Sequence, residues 1–489
     1  MCIIDLMRLD IKFLKEVLAI LNTLKKAGFD AYLVGGCVRD LFLKKEPKDW
    51  DITTSAKPEE IRKLFPESIY ENEFGTVGVK TDSKNNSLKI IEVTTFRVEG
   101  GYSDSRHPDE VKFAKTVEED LARRDFTINA LALSDKIIDP FGGQKDLKSK
   151  IIKAVGNPED RFGEDALRMM RAVRLAAQLE FEIDEKTEEA IRKNAHLLKR
   201  ISKERVRDEF VNTIMSNNAG WGVRMFQNLG LIGYFIPELA EGVGVSQNKH
   251  HIYTVWEHNL LALEYSVKKN YSLEVRLASL LHDVGKPRTK KGEGSESTFY
   301  QHEYVGANMT RKILENLKFP KGVVDYVTHL VRYHLFYYNV GEVTEAGVRR
   351  FLARVGPENV SDLLKVREAD RIGSGVPKAF PYKLRHLLFM IDKVKRDPIS
   401  PKMLKINGYD LMKLLSIEPG PKVGHILNIL LEEIIDDPKY NTKKYLEKRA
   451  DELNKFSIKE LENLRKKAES VKEEFETGVE EEIKRKHHV

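Results

Sequence analysis

Apolar residues recur at helical spacing through residues 11–28 (Phe13, Val17, Leu21, Leu24), and the run stops near Gly28, so the pattern predicts a helix with a glycine end. Tyr32-Leu33-Val34 then reads as the end of a buried strand, and Pro58 to Leu64 as a short helix opened by proline. The stretches FGTVGVKT, DSKNNS and LKIIEVTTFR form a strand, a polar turn and a strand, which predicts a hairpin. Residues 98–118 carry two glycines, a Tyr-Ser-Asp-Ser-Arg run and a proline, and read as a mobile loop. EEDLARRDFTINALAL starts a helix with acids in its first turn, and Asp139-Pro140-Phe141-Gly142-Gly143 reads as a turn closing this strand-containing part. From there the pattern is helical. Residues 160–180 read as one strong helix, rich in Ala, Leu, Met and Arg. Ile201 to Phe210 follows, with Ser202 placed as its N-cap. Residues 285–299 are Gly-, Ser- and Lys-rich and read as an exposed loop. Residues 395–489 alternate helical patterns with breaks at Pro398, Pro401, Pro419 and Pro438. Their end mixes Lys and Glu densely, as in a solvated hairpin or a frayed end. The expected fold class is therefore α+β.

Length and composition narrow this picture. The 489 residues suggest about three domains. Hydrophobic content of 41% with 32% charged residues suits a soluble protein. No run of about twenty apolar residues occurs, so no membrane span is expected, and the N-terminus reads as an amphipathic helix, not a signal peptide. The two cysteines, Cys2 and Cys37, lack metal-site spacing and point to a reducing cytoplasm. A net charge of +6 permits a polyanionic partner without requiring one.

The chemistry concentrates first in VGGCVRDLFLKKEPKDWDITT, residues 34–54. Gly35 and Gly36 have no Cβ, so their backbone can approach a ligand and offer N–H groups to phosphate. Arg39 could fork onto a phosphate oxygen. Asp49 and Asp51 lie two apart, and if Trp50 is extended both carboxylates share one face. Two such carboxylates repel unless a cation lies between them, and Mg²⁺ accepts these hard oxygen ligands. In the later strand, Ile90, Glu92 and Thr94 share one face. Glu92 is a lone acid in an apolar, β-branched strand, which is unusual because an unpaired buried charge is costly; the plain alternative is an edge-strand acid in water, and the residues alone leave both open. Arg123 and Arg124 could equally be a solvated pair or ion pairs to Asp120.

The combination of Gly-Gly-x-Val-Arg-Asp with Asp-x-Asp-Ile-Thr-Thr resembles the signature of the tRNA nucleotidyltransferase and poly(A) polymerase family, whose head is a polymerase-β-like palm. The resemblance implies Glu92 as the third palm carboxylate and a flexible 98–118 region that helps switch nucleotides. RRDFTINA resembles the family's second motif, which implies that Arg124, rather than Arg123, contacts the nucleotide's sugar and phosphates.

On the 160–180 helix, Asp165, Arg168, Arg171 and Arg174 recur every third residue. The plain reading is a face of Glu164–Arg168 and Asp165–Arg168 ion pairs. The functional reading is base selection. Asp only accepts hydrogen bonds and Arg only donates. One of each suits the amino donor and ring acceptor of adenine and cytosine, and leaves uracil and guanine mispaired. E-D-x-x-R with its trailing arginines resembles the motif by which the bacterial and eukaryotic class of this family selects CTP and ATP. Arg171 and Arg174 would support the stripe or reach the triphosphate.

A second set follows Gln247: His250, His251, His258, the adjacent His282-Asp283, His302, His334 and Asp370. Imidazole and carboxylate ligands suit Mn, Fe, Co, Ni or Zn, or Mg with water. His258, His282, Asp283 and Asp370 resemble the metal-dependent phosphohydrolase (HD) domain named for its His-Asp pair, and His302 and His334 match its additional ligand positions.

The resemblances imply a nucleotidyltransferase head over 1–150, a helical base-selecting neck over 151–240, an HD body over 241–394 and a helical tail over 395–489. They imply addition of the 3′-terminal CCA to tRNA from CTP and ATP, without a nucleic-acid template. Asp49, Asp51 and Glu92 would hold Mg²⁺. Gly35, Gly36, Arg39 and Arg124 would hold phosphates and ribose, and Asp165 and Arg168 would read the base. The tail would meet the tRNA acceptor arm through phosphates and shape. The HD body would hold Mn, Ni, Co, Fe or Mg. The chain would be a monomer or a homodimer. The rivals are enzymes adding only CC or only A, a poly(A) polymerase, and a phosphohydrolase whose head only binds RNA.

Overall fold

The structure is a computed structural model and describes residues 15–70, 75–100, 110–248, 252–336, 338–376 and 378–465. His250, His251, Phe13, the centre of the 98–118 stretch and the end of the tail lie outside these residues. The chain forms two compact units, residues 1–241 with 312–321, and residues 242–311 with 322–489.

The first unit is built on a mixed seven-stranded sheet in the order β3-β4-β5-β2-β1-β8-β9. Its strands are β1 (Ala31–Val34), β2 (Asp51–Thr54), β3 (Ser68–Tyr70), β4 (Thr76–Lys80), β5 (Ile90–Thr95), β8 (Ala132–Leu133) and β9 (Ile137–Ile138). Helix α1 (Lys15–Lys26) buries Val17, Leu21 and Leu24, and Gly28 follows it at φ 89°. Helix α2 (Gly36–Phe42) opens directly after β1. The Pro58–Leu64 helix and the β4–β5 hairpin form as their patterns predict. The β2–β5 pair is parallel, so the chain crosses over through that helix and β3–β4 before β5 returns beside β2.

Two local expectations change. Residues at both ends of the expected loop pair as a two-stranded ribbon, β6 (Arg97–Gly100) with β7 (Glu110–Phe113). β5 is an interior strand between β4 and β2, so the edge-strand reading of Glu92 does not hold. Along β5 exposure alternates: Ile91, Val93 and Thr95 are buried, while Ile90 and Glu92 are exposed.

Helix α3 (Val117–Ala122) starts with a Thr116–Glu119 capping box. The expected 160–180 helix is two helices, α4 (Pro158–Glu164) and α5 (Leu167–Leu179). Asp165 breaks it: the residue is extended (φ −139°, ψ 102°), and its Oδ1 accepts the Leu167 N–H at 3.0 Å. An Asp side chain can offer the backbone this alternative to helix continuation, which propensity sums do not register. Helix α6 (Lys203–Ile214) follows; Ser202 holds the N-cap position without a side-chain cap bond.

The second unit is helical. Helix α7 (Val255–Lys268) packs against α8 (Leu273–Leu281) and α11 (Val360–Gly373). Between them in sequence come α9 (His302–Asn316) and α10 (Lys321–Tyr333), and after them α12 (Tyr382–Val394). Three further helices, Gly408–Leu415, Pro421–Asp436 and Lys443–Asn454, close on a core containing Leu411, Ile426, Leu430, Ile434, Leu446 and Leu453. No helix among the described residues is long and apolar enough to cross a membrane.

Candidate active site and metal centre

β1 ends at Val34, and the chain turns sharply through Gly35 at φ 77°, ψ −139°, a conformation open to glycine and strained for other residues. A Cβ at Gly35 would lie 2.7 Å from Arg124 Nη1 and 3.4 Å from Asp51 Oδ2. The missing side chain thus leaves room for the meeting of a guanidinium and a carboxylate. The Gly35 N–H donates to Leu131 O at 3.4 Å, so that N–H already has a partner. Gly36 is less constrained: a Cβ there would meet Arg39 at 3.5 Å, an ordinary contact.

β2 begins at Asp51, but the ladder reaches one residue further back, since Glu92 N–H donates to Trp50 O at 3.2 Å. Exposure alternates along the segment, with Asp49 exposed, Trp50 buried, Asp51 half-buried and Ile52 buried. Asp49 lies in the bend before the strand, one residue before the ladder begins. Asp51 and Glu92 are direct partners in the parallel register. Burial raises the Asp51 pKa, Arg124 opposes that rise, and the Asp49 carboxylate adds to it. Asp51 and Glu92 offer the oxygen chemistry a hard divalent cation takes, but the oxygens of Asp49, Asp51 and Glu92 do not all lie within 4.8 Å of one another. Burial also pushes the neighbouring Cys37 thiol up to about 12, so that thiol is packing, not chemistry.

Both arginines of the second motif meet Asp120, which is fully buried: Arg123 Nη2 at 2.8 Å and Arg124 Nη2 at 3.5 Å. Arg124 alone of the two also reaches Gly35 and Asp51.

Asp165 and Arg168 do not pair with each other. Arg168 Nη1 bonds Glu164 at 2.6 Å and Arg161 O at 3.3 Å, and its Nη2 bonds Arg123 O at 3.2 Å. Asp165 Oδ2 instead accepts from Arg205 Nη2 at 2.6 Å, so Arg205, which the family resemblance assigns to scaffolding, holds this carboxylate in place. Arg171 donates to Asp125 at 2.7 Å and 2.9 Å, and Arg174 Nε donates to Glu209 at 2.6 Å. Asp125 Oδ1 accepts from Asn129, whose Oδ1 accepts from Arg39 Nη1 at 2.7 Å. Arg39 bonds Asn129 and Asp40, which use three of its five N–H groups. Burial would raise the Asp125 pKa, but Arg171 and the Asn129 hydrogen bond hold it far below the usual carboxylate range. Asp125, Asn129, Arg205 and Glu209 were not singled out from sequence as site residues. The one available signal was the string R-R-D-F-T-I-N itself, which holds Asp125 and Asn129.

In the second unit six residues converge. His258 Nε2 lies 2.8 Å from His282 Nε2, 3.0 Å from Asp283 Oδ2 and 3.4 Å from Asp370 Oδ1. His302 and His334 Nε2 face the other oxygen of Asp283, Oδ1, at 3.3 Å and 3.6 Å. All six are buried. The Nδ1 atoms of His282, His302 and His334 each bond the carbonyl three residues back, at 2.7–2.8 Å, which fixes the rings with Nε2 inward. Ligand atoms of His258, His282 and Asp283, and those of Asp283, His302 and His334, lie within 4.8 Å of one another. Burial lowers the His282 pKa, but Asp283 and Asp370 outweigh it and lift it to about 10. Lys286, expected in an exposed loop, opens a short Lys286–Thr289 helix instead. It is buried, with Nζ 2.6 Å from Asp283 and 2.7 Å from Gln247.

Comparison with known proteins gives matches over both units. Residues 31–153 match the poly A polymerase head domain, and residues 298–450 match domain 2 of tRNA nucleotidyltransferase. The CCA-adding enzyme of Lactobacillus helveticus is 35% identical over 444 residues, 90% of this chain and 97% of that protein. The CCA-adding enzyme of Ligilactobacillus salivarius is 36% identical over 90% of this chain and 96% of that one. The crystal structure of the Bacillus stearothermophilus CCA-adding enzyme in complex with CTP superposes with a TM-score of 0.67 at 31% identity, covering 91% of this chain and 98% of that one. The chain therefore belongs to the CCA-adding enzymes, the class II branch of the tRNA nucleotidyltransferase and poly(A) polymerase family.

Proposed function

We propose that this chain adds the 3′-terminal CCA to tRNA from CTP and ATP with release of pyrophosphate, and that Asp49, Asp51 and Glu92 are its catalytic carboxylates. The observation that carries the assignment is the in-register pairing of Asp51 with Glu92, beside the Gly35 turn and Arg124. These three acids would hold Mg²⁺, which when bound lowers the pKa of the attacking hydroxyl and offsets the triphosphate charge. Arg124, anchored by Asp120, sits where it can fix the phosphates or ribose against the Gly35 turn. Asp165 and Arg168 present a fixed acceptor and a fixed donor to the base. Arg205 and the Leu167 N–H immobilise the carboxylate, yet a carboxylate has about four acceptor sites. The bonds of Arg168 among the described residues use three of its five N–H groups. A partner pair held this firmly gains selectivity because the wrong base leaves it unpaired. Arg171, Arg174 and Arg39 act as the frame around it.

The test uses tRNA ending before CCA, after C and after CC, with Mg²⁺ and CTP, ATP or both. Two C additions from CTP and one A from ATP are expected. A stop after CC, or extension of the CC-ended tRNA alone, would overturn the full-CCA reading.

A second activity is favoured by the convergence of His258, His282, Asp283 and Asp370 on one point, with His302 and His334 on the far oxygen of Asp283. These residues would hold one or two divalent ions (Mn, Ni, Co, Fe or Mg), which when bound supply an activated water for phosphoester hydrolysis. Release of product from a 2′,3′-cyclic nucleotide in the presence of each metal tests it.

A further inference from the structure

Helix α12 buries Leu384, Leu387, Ile391 and Val394 on one side. On the opposite side, at spacing i, i+4, i+7, stand Tyr382, His386 and Phe389. Tyr382 and Phe389 are each 61% exposed, which is unusual for large rings on the solvent face of an amphipathic helix. The rings form a row. Tyr382 to His386 and His386 to Phe389 are both 5.9 Å between centroids, and the buried Tyr338 lies 6.0 Å from His386 on the inner side. A hydrogen bond between Tyr338 Oη and His386 Nδ1 pins the middle ring.

Charge marks the class of partner. Residues 378–397 carry six Lys and Arg (Lys378, Lys383, Arg385, Lys393, Lys395, Arg396) against two Asp, an excess of four, where the whole chain has +6. One of the two acids, Asp397, is bound to the buried Arg349 at 2.8 Å, and one of the six cations, Lys393, is bound to Glu345. Lys383 and Arg385 are exposed on the same helix as the rings. A surface for a second copy of a chain with this charge would bring like charges together. A polyanion with exposed π-faces fits both features, because bases stack on aromatic rings while basic side chains track phosphates.

We propose that this aromatic and basic ridge on α12 stacks unpaired bases of the tRNA, a binding surface separate from the nucleotide-adding residues. It rests on the reading of tRNA as substrate. The geometry favours single-stranded or loop bases over a duplex, since stacked pairs offer no free π-face.

The experiment measures binding of the full chain to tRNA, to a single-stranded oligouridylate and to a blunt RNA duplex. It compares wild type, Tyr382→Ala/Phe389→Ala, Tyr382→Phe and Lys383→Gln/Arg385→Gln. The double alanine variant is expected to weaken tRNA and oligouridylate binding about tenfold or more and to leave duplex binding unchanged. Its KM for tRNA rises while kcat at saturating tRNA stays constant. Tyr382→Phe keeps wild-type binding, because the ring face is retained. The charge variant lowers the salt slope by about two. Unchanged affinities for tRNA and oligouridylate in the double alanine variant would overturn the proposal. A change only in sedimentation behaviour would also overturn it, assigning the ridge to self-association. Failure of the substrate reading is distinguishable: wild type would then extend no tRNA, whatever the ridge variants do to oligouridylate binding.

Discussion

Asp165 and Arg205 lie 40 residues apart in sequence and share a 2.6 Å ion pair that holds the proposed base-reading carboxylate in place. Asp165 can be a fixed acceptor only because its helix breaks there and Arg205 closes over it. Arg205→Ala is therefore expected to loosen the carboxylate without removing it. A lost hydrogen bond to a charged group costs about 1.5–3 kcal/mol, or roughly 10–100-fold in kcat/KM for CTP and ATP. Misincorporation of UTP and GTP should rise with it. Single-nucleotide incorporation on tRNA ending before CCA and on tRNA ending in CC checks both.

Asp51→Asn and Glu92→Gln should each lower nucleotide addition at least about a thousandfold. Asp51→Asn should also stabilise the protein in Mg²⁺-free buffer. Burial raises the folded pKa of Asp51, so its contribution is favourable at low pH and is lost as pH rises from the unfolded value through the folded one. Near neutral pH the ionised wild-type group therefore costs stability that Asn does not. Thermal melts from pH 4 to 8 should show the variant's Tm gaining on wild type as pH rises.

Asp125 has the opposite sign. Its folded pKa is depressed, so its contribution is present above the unfolded value of about 3.9 and is lost as pH falls. Asp125→Asn should lower Tm at pH 7, with a cost of about 1–2 kcal/mol, since Arg171 is 37% exposed and water screens part of the loss. The gap between variant and wild type should narrow in acid. Addition should also slow, because Arg39, Asn129 and Arg171 share this anchor.

Gly35→Ala should disable addition while Gly36→Ala is milder. At Gly35 an added Cβ meets Arg124 at 2.7 Å in a backbone conformation costing about 1–3 kcal/mol for other residues, whereas at Gly36 it meets an ordinary contact. Steady-state kinetics on the two variants, with circular dichroism as the folding check, separates them.

His282→Ala and Asp283→Ala should leave CCA addition unchanged. In an Asp51→Asn/Glu92→Gln background, which removes the proposed head site, they should abolish both the rise in Tm on adding Mn²⁺ or Ni²⁺ and any hydrolysis of 2′,3′-cyclic nucleotide. A metal-dependent Tm rise that survives in both variants would place the ion elsewhere.

The sequence by itself determined what local spacing carries. Gly35, the Asp49–Asp51 interval and the alternation that puts Glu92 on one face of β5 are properties of neighbouring residues, and the structure keeps them. His282-Asp283 and its flanking apolar helix are equally local. What the fold decided lies at long range. Nothing within a helical window shows that Asp165 ends α4, that Arg205 rather than Arg168 takes its carboxylate, or that Arg171 meets Asp125 46 residues away. The same holds for β5 lying inside the sheet, which removed the edge-strand alternative for Glu92, and for Lys286, buried on Asp283 where composition suggested an exposed loop. Periodicity and propensity report which face of an element is apolar. Which charge a buried carboxylate finds depends on how the elements pack, because leaving it unpaired in the interior is costly and the nearest partner in space is seldom the nearest in sequence.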